Sequence, residues 1–349
     1  MDYVIAFIVA CLAAAIPTAV YVAIAYWLDR YEKEPWWLIA LAFVWGAVPA
    51  IILAAVVELV FSVPLSQVLS DQGVTKFTAA VVAPLVEEPL KALPLLLIFW
   101  CFHNEFDGLL DGLIYGALVG FGFAMTENVM YIFGAYAEGG YAGLFGVAFL
   151  RVIVLGMMHA LWASMFGLGL GIARYARSPL LAWTAPPLGL LLGMTLHAVH
   201  NFCAVMGGFW PLLMFASYGM GCIGWLVLVF LAGQGESRWI RQELKKEVRL
   251  GHVRADVARA SSRYRSRVAA RWAAFQQHGI GHAWQLGYLY SLTADLAFKK
   301  RQFRIHPHKR RFMQEIARLR GEIADVTRTL FGEDGVVSIE EILEAGETQ

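Results

Sequence analysis

Seven runs of apolar residues, each long enough to cross a bilayer as a helix, dominate this chain. They cover approximately residues 3–28, 36–61, 77–102, 109–134, 144–173, 181–206 and 209–232. A helix crosses about 30 Å of hydrocarbon with roughly 20 residues. In lipid the backbone has no water to bond, and a helix satisfies its own donors and acceptors. The closed-barrel alternative needs alternating segments of about ten residues, and these runs do not alternate. The expected fold class is therefore all-α: a polytopic membrane helix bundle of about seven spans with a helical cytoplasmic C-terminal tail. Composition agrees, with 59% apolar and 16% charged residues against about 45–50% and 25% in soluble domains. The first run has no basic leader and is expected to remain as a span.

Charge divides the chain into two expected domains. Residues 1–232, the membrane-embedded part, hold 7 basic and 13 acidic residues, whereas residues 233–349 hold 21 and 14. Arg30 and Lys33 follow the first run, Arg174 and Arg177 the fifth, and Arg238, Arg241, Lys245 and Lys246 the seventh. These loops fall on one side, so the positive-inside rule puts the tail in the cytoplasm, the N-terminus outside, and the protein in the cell membrane. The tail reads as helices over roughly 236–250, 253–277, 281–304 and 308–331, separated by Gly251, Gly279/Gly281 and Pro307. Its basic residues, among them Arg259, Arg263, Arg265, Arg267 and Arg271, form a solvated face or meet anionic lipid headgroups. No groove-reading motif is present, so no nucleic-acid partner is expected. Cys11, Cys101, Cys203 and Cys222 form no C-x-x-C pair and read as small apolar side chains.

Charged and imidazole side chains inside the spans carry the functional signal, because each costs about 2.5–3.5 kcal/mol at a helix centre. The third span places Glu87, Glu88 and Lys91 mid-membrane. Lys91 lies four residues from Glu87 and three from Glu88, so one carboxylate is expected to pair with the ammonium and the other to stay free. Pro84, Pro89 and Pro94 remove backbone donors around them. The fourth span carries Glu127, Asn128 and Tyr131, with Gly116, Gly120 and Gly122 permitting close helix approach. The fifth carries His159 and Trp162. The sixth carries His197, His200 and Asn201, of which His197 and Asn201 share a face.

Two chemistries fit these residues. In one, His159, His197 and a carboxylate hold Zn²⁺ with an open position, and Glu87 or Glu88 is the general base. In the other, a glutamate activates water with a histidine partner and Asn201 donates to the oxyanion. No HExxH and no G-x-S-x-G is present. An ion-coupled transporter, using the same groups as a proton relay, and a non-catalytic scaffold are the competing classes.

Taken in order, these segments resemble the PrsW family of intramembrane proteases, itself related to the CaaX prenyl endopeptidases and the bacteriocin-processing membrane proteases. The resemblance covers roughly residues 25–205. It rests on Asp29-Arg-Tyr-Glu-Lys-Glu-Pro35 with the following WWLIALAFVWG, Glu87-Glu88-Pro-Leu-Lys91, Asp107 to Gly116, Gly120 to Asn128, His159, and His197 to Asn201. It implies site-directed cleavage of a membrane-embedded protein or peptide, an anti-sigma factor in the best-known case. It also implies that Glu87, Glu88, His159 and His197 are essential. The family is usually classed with metallopeptidases, although its CaaX relatives have also been argued to be glutamate proteases.

Overall fold

The computed structural model describes residues 1–31, 33–102, 105–305 and 310–332. Glu32, Pro307 and the first two residues of the expected helix 308–331 lie outside the described residues, as does the tail from residue 333. The described chain is helical, with no strand among the described residues. Its helices are α1 (Asp2–Leu28), α2 (Trp36–Trp45), α3 (Ile51–Leu65), α4 (Asp71–Phe77), α5 (Ala83–Cys101), α6 (Leu109–Ala148), α7 (Met158–Tyr175), α8 (Pro179–Met206), α9 (Trp210–Arg249), α10 (Ala255–Ser261), α11 (Tyr264–Ile305) and α12 (Arg310–Phe331). Short π-helical turns stand at Gly46–Ala50, Thr78–Val82 and Phe149–Val154.

Five stretches are long and apolar enough to cross a membrane: Asp2–Leu28, Trp36–Leu65, Leu109–Tyr175, Pro179–Met206 and Trp210–Arg249. The sequence pattern gives seven, and two features account for the difference. Helix α5 carries Glu87, Glu88 and Lys91 in its middle, which lowers its hydropathy. The 67-residue stretch Leu109–Tyr175 doubles back at Gly139 and Gly140, where φ/ψ leave the helical region and Gly140 takes φ +59°. Half of the most apolar window in that stretch is buried, against 22% in α1 and α8 and 17% in α9. The α6–α7 pair is therefore the centre of the bundle, and α1, α8 and α9 present their Leu, Ile, Val and Phe side chains outward.

Small residues set how closely this centre packs. Helices α6 and α7 run antiparallel, with Gly112 against Gly167, Gly116 against Ala163 and Ser164, and Gly120 against the carbonyl of His159. A Cβ at any of these glycines would fall on partner backbone, so the seam admits hydrogen only. Helix α1 uses the same device, burying Ala6, Ala10 and Ala14 against Ile132, Leu144 and Val152. Tyr21 of α1 donates its hydroxyl to the Val152 carbonyl at 2.9 Å.

By its internal contacts the chain forms two units, one of residues 1–29 and 34–230, the other of residues 30–33 and those from 231 on. In the second unit, Ile240, Leu244, Val257, Leu289, Leu296, Ile316, Leu319 and Ile323 make the core. Glu247, fully buried, ties three helices together. It accepts from His252 at 2.9 Å, from Arg320 through two bonds of 2.9 Å, and from Lys300. Gly251 (φ +77°) and Gly279 (φ +82°) take the left-handed backbone that breaks the helices there. A further break at 262–263 separates α10 from α11, so the expected continuous helix 253–277 is two helices.

Candidate functional site

Inside the first unit, α5, α6, α7 and α8 bring their polar side chains to one place. Lys91 is the hub, and it is completely buried. Its Nζ donates to Glu87 Oε2 at 2.9 Å, to Glu88 Oε1 at 2.8 Å and to His159 Nδ1 at 3.0 Å. It also lies 3.9 Å from the centroid of the Phe123 ring. The expectation that one glutamate stays unpaired is corrected here. At positions 87 and 88 the side chains diverge by about 100° at the backbone, yet the long lysine stem carries its ammonium to a point both carboxylates reach.

The two histidines are fixed by opposite kinds of partner. An ammonium can only donate and a carboxylate can only accept. Facing Lys91 and Glu127, His159 therefore accepts at Nδ1 and donates from Nε2 to Glu127 Oε2 at 2.8 Å. His197 donates from Nδ1 to Glu88 Oε1 at 2.9 Å and accepts at Nε2 from Asn201 Nδ2 at 3.1 Å. Asn201 Nδ2 also donates to the Ala79 carbonyl, at 2.8 Å, in the π-helical turn before α5. Both its donors are thus engaged, which suits it to orienting His197 rather than to holding an oxyanion. Trp162 stacks flat on His197, with ring centroids 3.9 Å apart.

Two residues of this group escape the sequence reading. Arg151, in the π-helical turn Phe149–Val154, donates to Glu127 Oε2 at 2.7 Å and to Asn128 Oδ1 at 2.9 Å, and lies over the Tyr131 ring. Its signal was available: an arginine inside the fifth apolar run carries the same insertion cost as the glutamates. Glu58 of α3 is near enough to Glu127 and Lys91 to act on them electrostatically. It sits near the end of its run and gives no comparable signal.

The motifs around Asp29–Pro35 and Asp107–Gly116 make a separate buried group. Asp29 accepts from the Glu34 amide at 3.0 Å, Asp111 accepts from the Asp107 amide at 2.7 Å, and Tyr115 donates to Glu34. Asp111 lies 16 residues before Glu127 on α6, about 24 Å along the helix. Asp29 stands at the C-terminal end of α1, and Asp111 in the first turn of α6 bonds back to the connection from α5.

The donor types fit a zinc ion. Glu87, His159 and His197 each offer one atom, all within 4.8 Å of one another, and two imidazoles with a carboxylate are a ligand set that catalytic zinc uses. The lone pairs such an ion would take, on His159 Nδ1 and His197 Nε2, are those that Lys91 and Asn201 engage.

The chain is similar to known proteins over most of its first unit. Residues 34–232 match the family model described as PrsW family intramembrane metalloprotease. Protease PrsW of Bacillus subtilis (strain 168) is 30% identical over 182 residues, 51% of this chain and 74% of that protein. Protease PrsW of Geobacillus kaustophilus is 29% identical over 195 residues, 54% of this chain and 76% of that protein. Protease PrsW of Shouchella clausii is 26% identical over 224 residues, 63% of this chain and 93% of that protein. No solved structure gives a significant match.

Proposed function

Because the chain belongs to the PrsW family of intramembrane proteases, we propose that its buried Glu–Lys–His group hydrolyses a peptide bond of a membrane-embedded protein substrate. The observation that carries this reading is the convergence of Glu87, His159 and His197 within 4.8 Å in the interior of an apolar bundle. Hydrolysis requires a base for water, donors for the tetrahedral oxyanion and a proton for the leaving amine. Glu87 is the better base of the adjacent pair. Its Oε2 is held by Lys91, while its other oxygen has no protein partner among the described residues. Glu88 gives one oxygen to both Lys91 and His197, and its side chain is 1% exposed against 8% for Glu87.

Glu87 takes a proton from water as the oxygen attacks the carbonyl, and returns it to the departing amine as the C–N bond breaks. Arg151 Nη1 and the His200 ring make no protein hydrogen bond among the described residues, and both can donate to the oxyanion. Lys91 holds Glu87 and Glu88 in place, Glu127 orients His159, and Asn201 orients His197. If zinc is held, Glu87, His159 and His197 are its ligands and Glu88 takes the base role. When bound, the ion supplies Lewis acidity at the scissile carbonyl.

This reading puts the protein in the cell membrane with its N-terminus outside and residues 233–349 in the cytoplasm, following the basic loops. An anti-sigma-factor-like single-span protein is the first substrate to test. The experiment is cleavage of such a reporter by full-length protein in proteoliposomes. Glu87→Gln, His159→Ala and His197→Ala should each abolish cleavage while the protein still inserts. Inhibition by a chelator, reversed by Zn²⁺, supports the metal route. Full activity in both Glu87→Gln and Glu88→Gln would sink the protease assignment of this site and move the transporter reading ahead.

A further inference from the structure

The second unit carries an apolar surface that its own core does not use. Helix α11 reverses at Gly279, as shown by the Arg271 Nε donation to the Ala283 carbonyl at 3.3 Å and by Gly287 lying against the Arg271 side chain. The inner faces of both legs, with Ala274, Ala283 and Leu286, enter the core. The outer faces present Val268, Trp272 and Phe275 on one leg and Ile280, Trp284 and Tyr288 on the other, at helical spacings of three and four. Ile280 is 76% exposed, Trp284 67% and Trp272 60%. Large exposed apolar side chains concentrated on one element in this way mark a docking site for a membrane or a protein.

Charge selects the membrane. Between Asp256 and Asp295 the chain has five arginines and no carboxylate. Just before the hairpin, Arg259 and Arg263 join Arg241 and Lys245 around a cavity of about 540 Å³ with Leu244, Val248 and Ala258 in its wall. None of these four cations has a carboxylate partner among the described residues. On the hairpin itself, exposed Arg265 stands three and seven residues before Val268 and Trp272, on their face of the leg, and tryptophan, tyrosine and arginine are the side chains that settle at the headgroup level of anionic bilayers. The hairpin is also covalently tethered to a multi-span membrane unit, which keeps a bilayer at high effective concentration.

We propose that the Gly279 hairpin of α11 is an interfacial membrane anchor, laying its Trp272–Ile280–Trp284 face into an anionic headgroup layer.

The test uses full-length protein in nanodiscs of zwitterionic and anionic lipid. A nitroxide is placed through Ile280→Cys in a variant whose four native cysteines are replaced, and a second at exposed Arg318 is the water control. Position 280 should collide with oxygen and be shielded from a water-soluble nickel chelate, and position 318 the reverse. Omitting anionic lipid should reduce the shielding, and Arg265→Gln should lower the inserted-to-free ratio about fivefold. In protein with its native cysteines, p-benzoylphenylalanine in place of Trp284 should cross-link to lipid. Nickel collision at 280 equal to that at 318 would overturn the proposal, because the face would lie in water. So would cross-links to a second copy or another protein, or shielding of 280 from both reagents.

Discussion

Replacing Lys91 by methionine should be among the most damaging single changes in the membrane unit. Methionine keeps the length and apolar stem of lysine and removes only the ammonium. That ammonium makes three donations of 2.8–3.0 Å in a residue with no solvent exposure. Hydrogen bonds to charged groups contribute about 1.5–3 kcal/mol each. Removing one member of a buried charged group costs about 3–5 kcal/mol, because the partners are left uncompensated. Two adjacent carboxylates without a cation put Lys91→Met at that upper end, a large part of the roughly 5–15 kcal/mol that holds a domain together. Unfolding in mixed micelles by a denaturing detergent, followed by tryptophan fluorescence, measures it. The double variant Glu87→Gln/Lys91→Met should recover about 1–3 kcal/mol relative to Lys91→Met, since one stranded charge is gone. A Lys91→Met protein as stable as the parent to within about 0.5 kcal/mol, the range of an ordinary surface change, would refute a buried three-way ammonium.

Three other outcomes follow from the geometry. Arg151→Gln should lower kcat by roughly 10–100-fold or more, because it removes the clamp on Glu127, which orients His159, together with a proposed oxyanion donor, with KM little changed and partial rescue by Arg151→Lys; unchanged kcat would remove Arg151 from the mechanism. Gly120→Val should cost at least about 1–3 kcal/mol by overpacking and abolish cleavage, because the added side chain meets the His159 carbonyl; a normal thermal midpoint would contradict the tight seam. Glu247→Ala should destabilise the second unit by about 3–5 kcal/mol, read as faster amide exchange in α11 and α12, and unaltered exchange there would show that the Glu247 hub is not a support.

How much of this was legible in sequence depends on what kind of side chain carried the signal. The all-α membrane bundle was readable because hydropathy is summed over 20 residues at a time, and single exceptions do not erase it. Glu87, Glu88, Glu127, His159 and His197 were readable as a group because each is costly in lipid and none is alone. Arg151 obeys the same rule and carries the same insertion cost. The pairing of Lys91 with both glutamates was not legible, since spacing gives the direction of a Cβ and not where a four-carbon stem ends. The break between α10 and α11 was also hidden, because Ser262 and Arg263 are tolerated inside helices and only tertiary packing ends one there.

The glycine seam has a mechanical consequence. Where Gly112, Gly116 and Gly120 meet α7, backbone touches backbone, and sliding either helix by one residue would drive a side chain into main chain. Gly169, Gly189 and Gly193 make similar approaches between α7 and α8, so α6, α7 and α8 behave as one stiff block carrying Glu127, His159 and His197. Glu87 and Glu88 stand outside it on α5, which follows the π-helical turn Thr78–Val82 and reaches α7 and α8 through the Lys91–His159 and Glu88–His197 side-chain bonds. The site is therefore divided between a block locked by main-chain contact, which holds the histidines, and α5, which holds the carboxylates and joins that block through hydrogen bonds of its charged side chains.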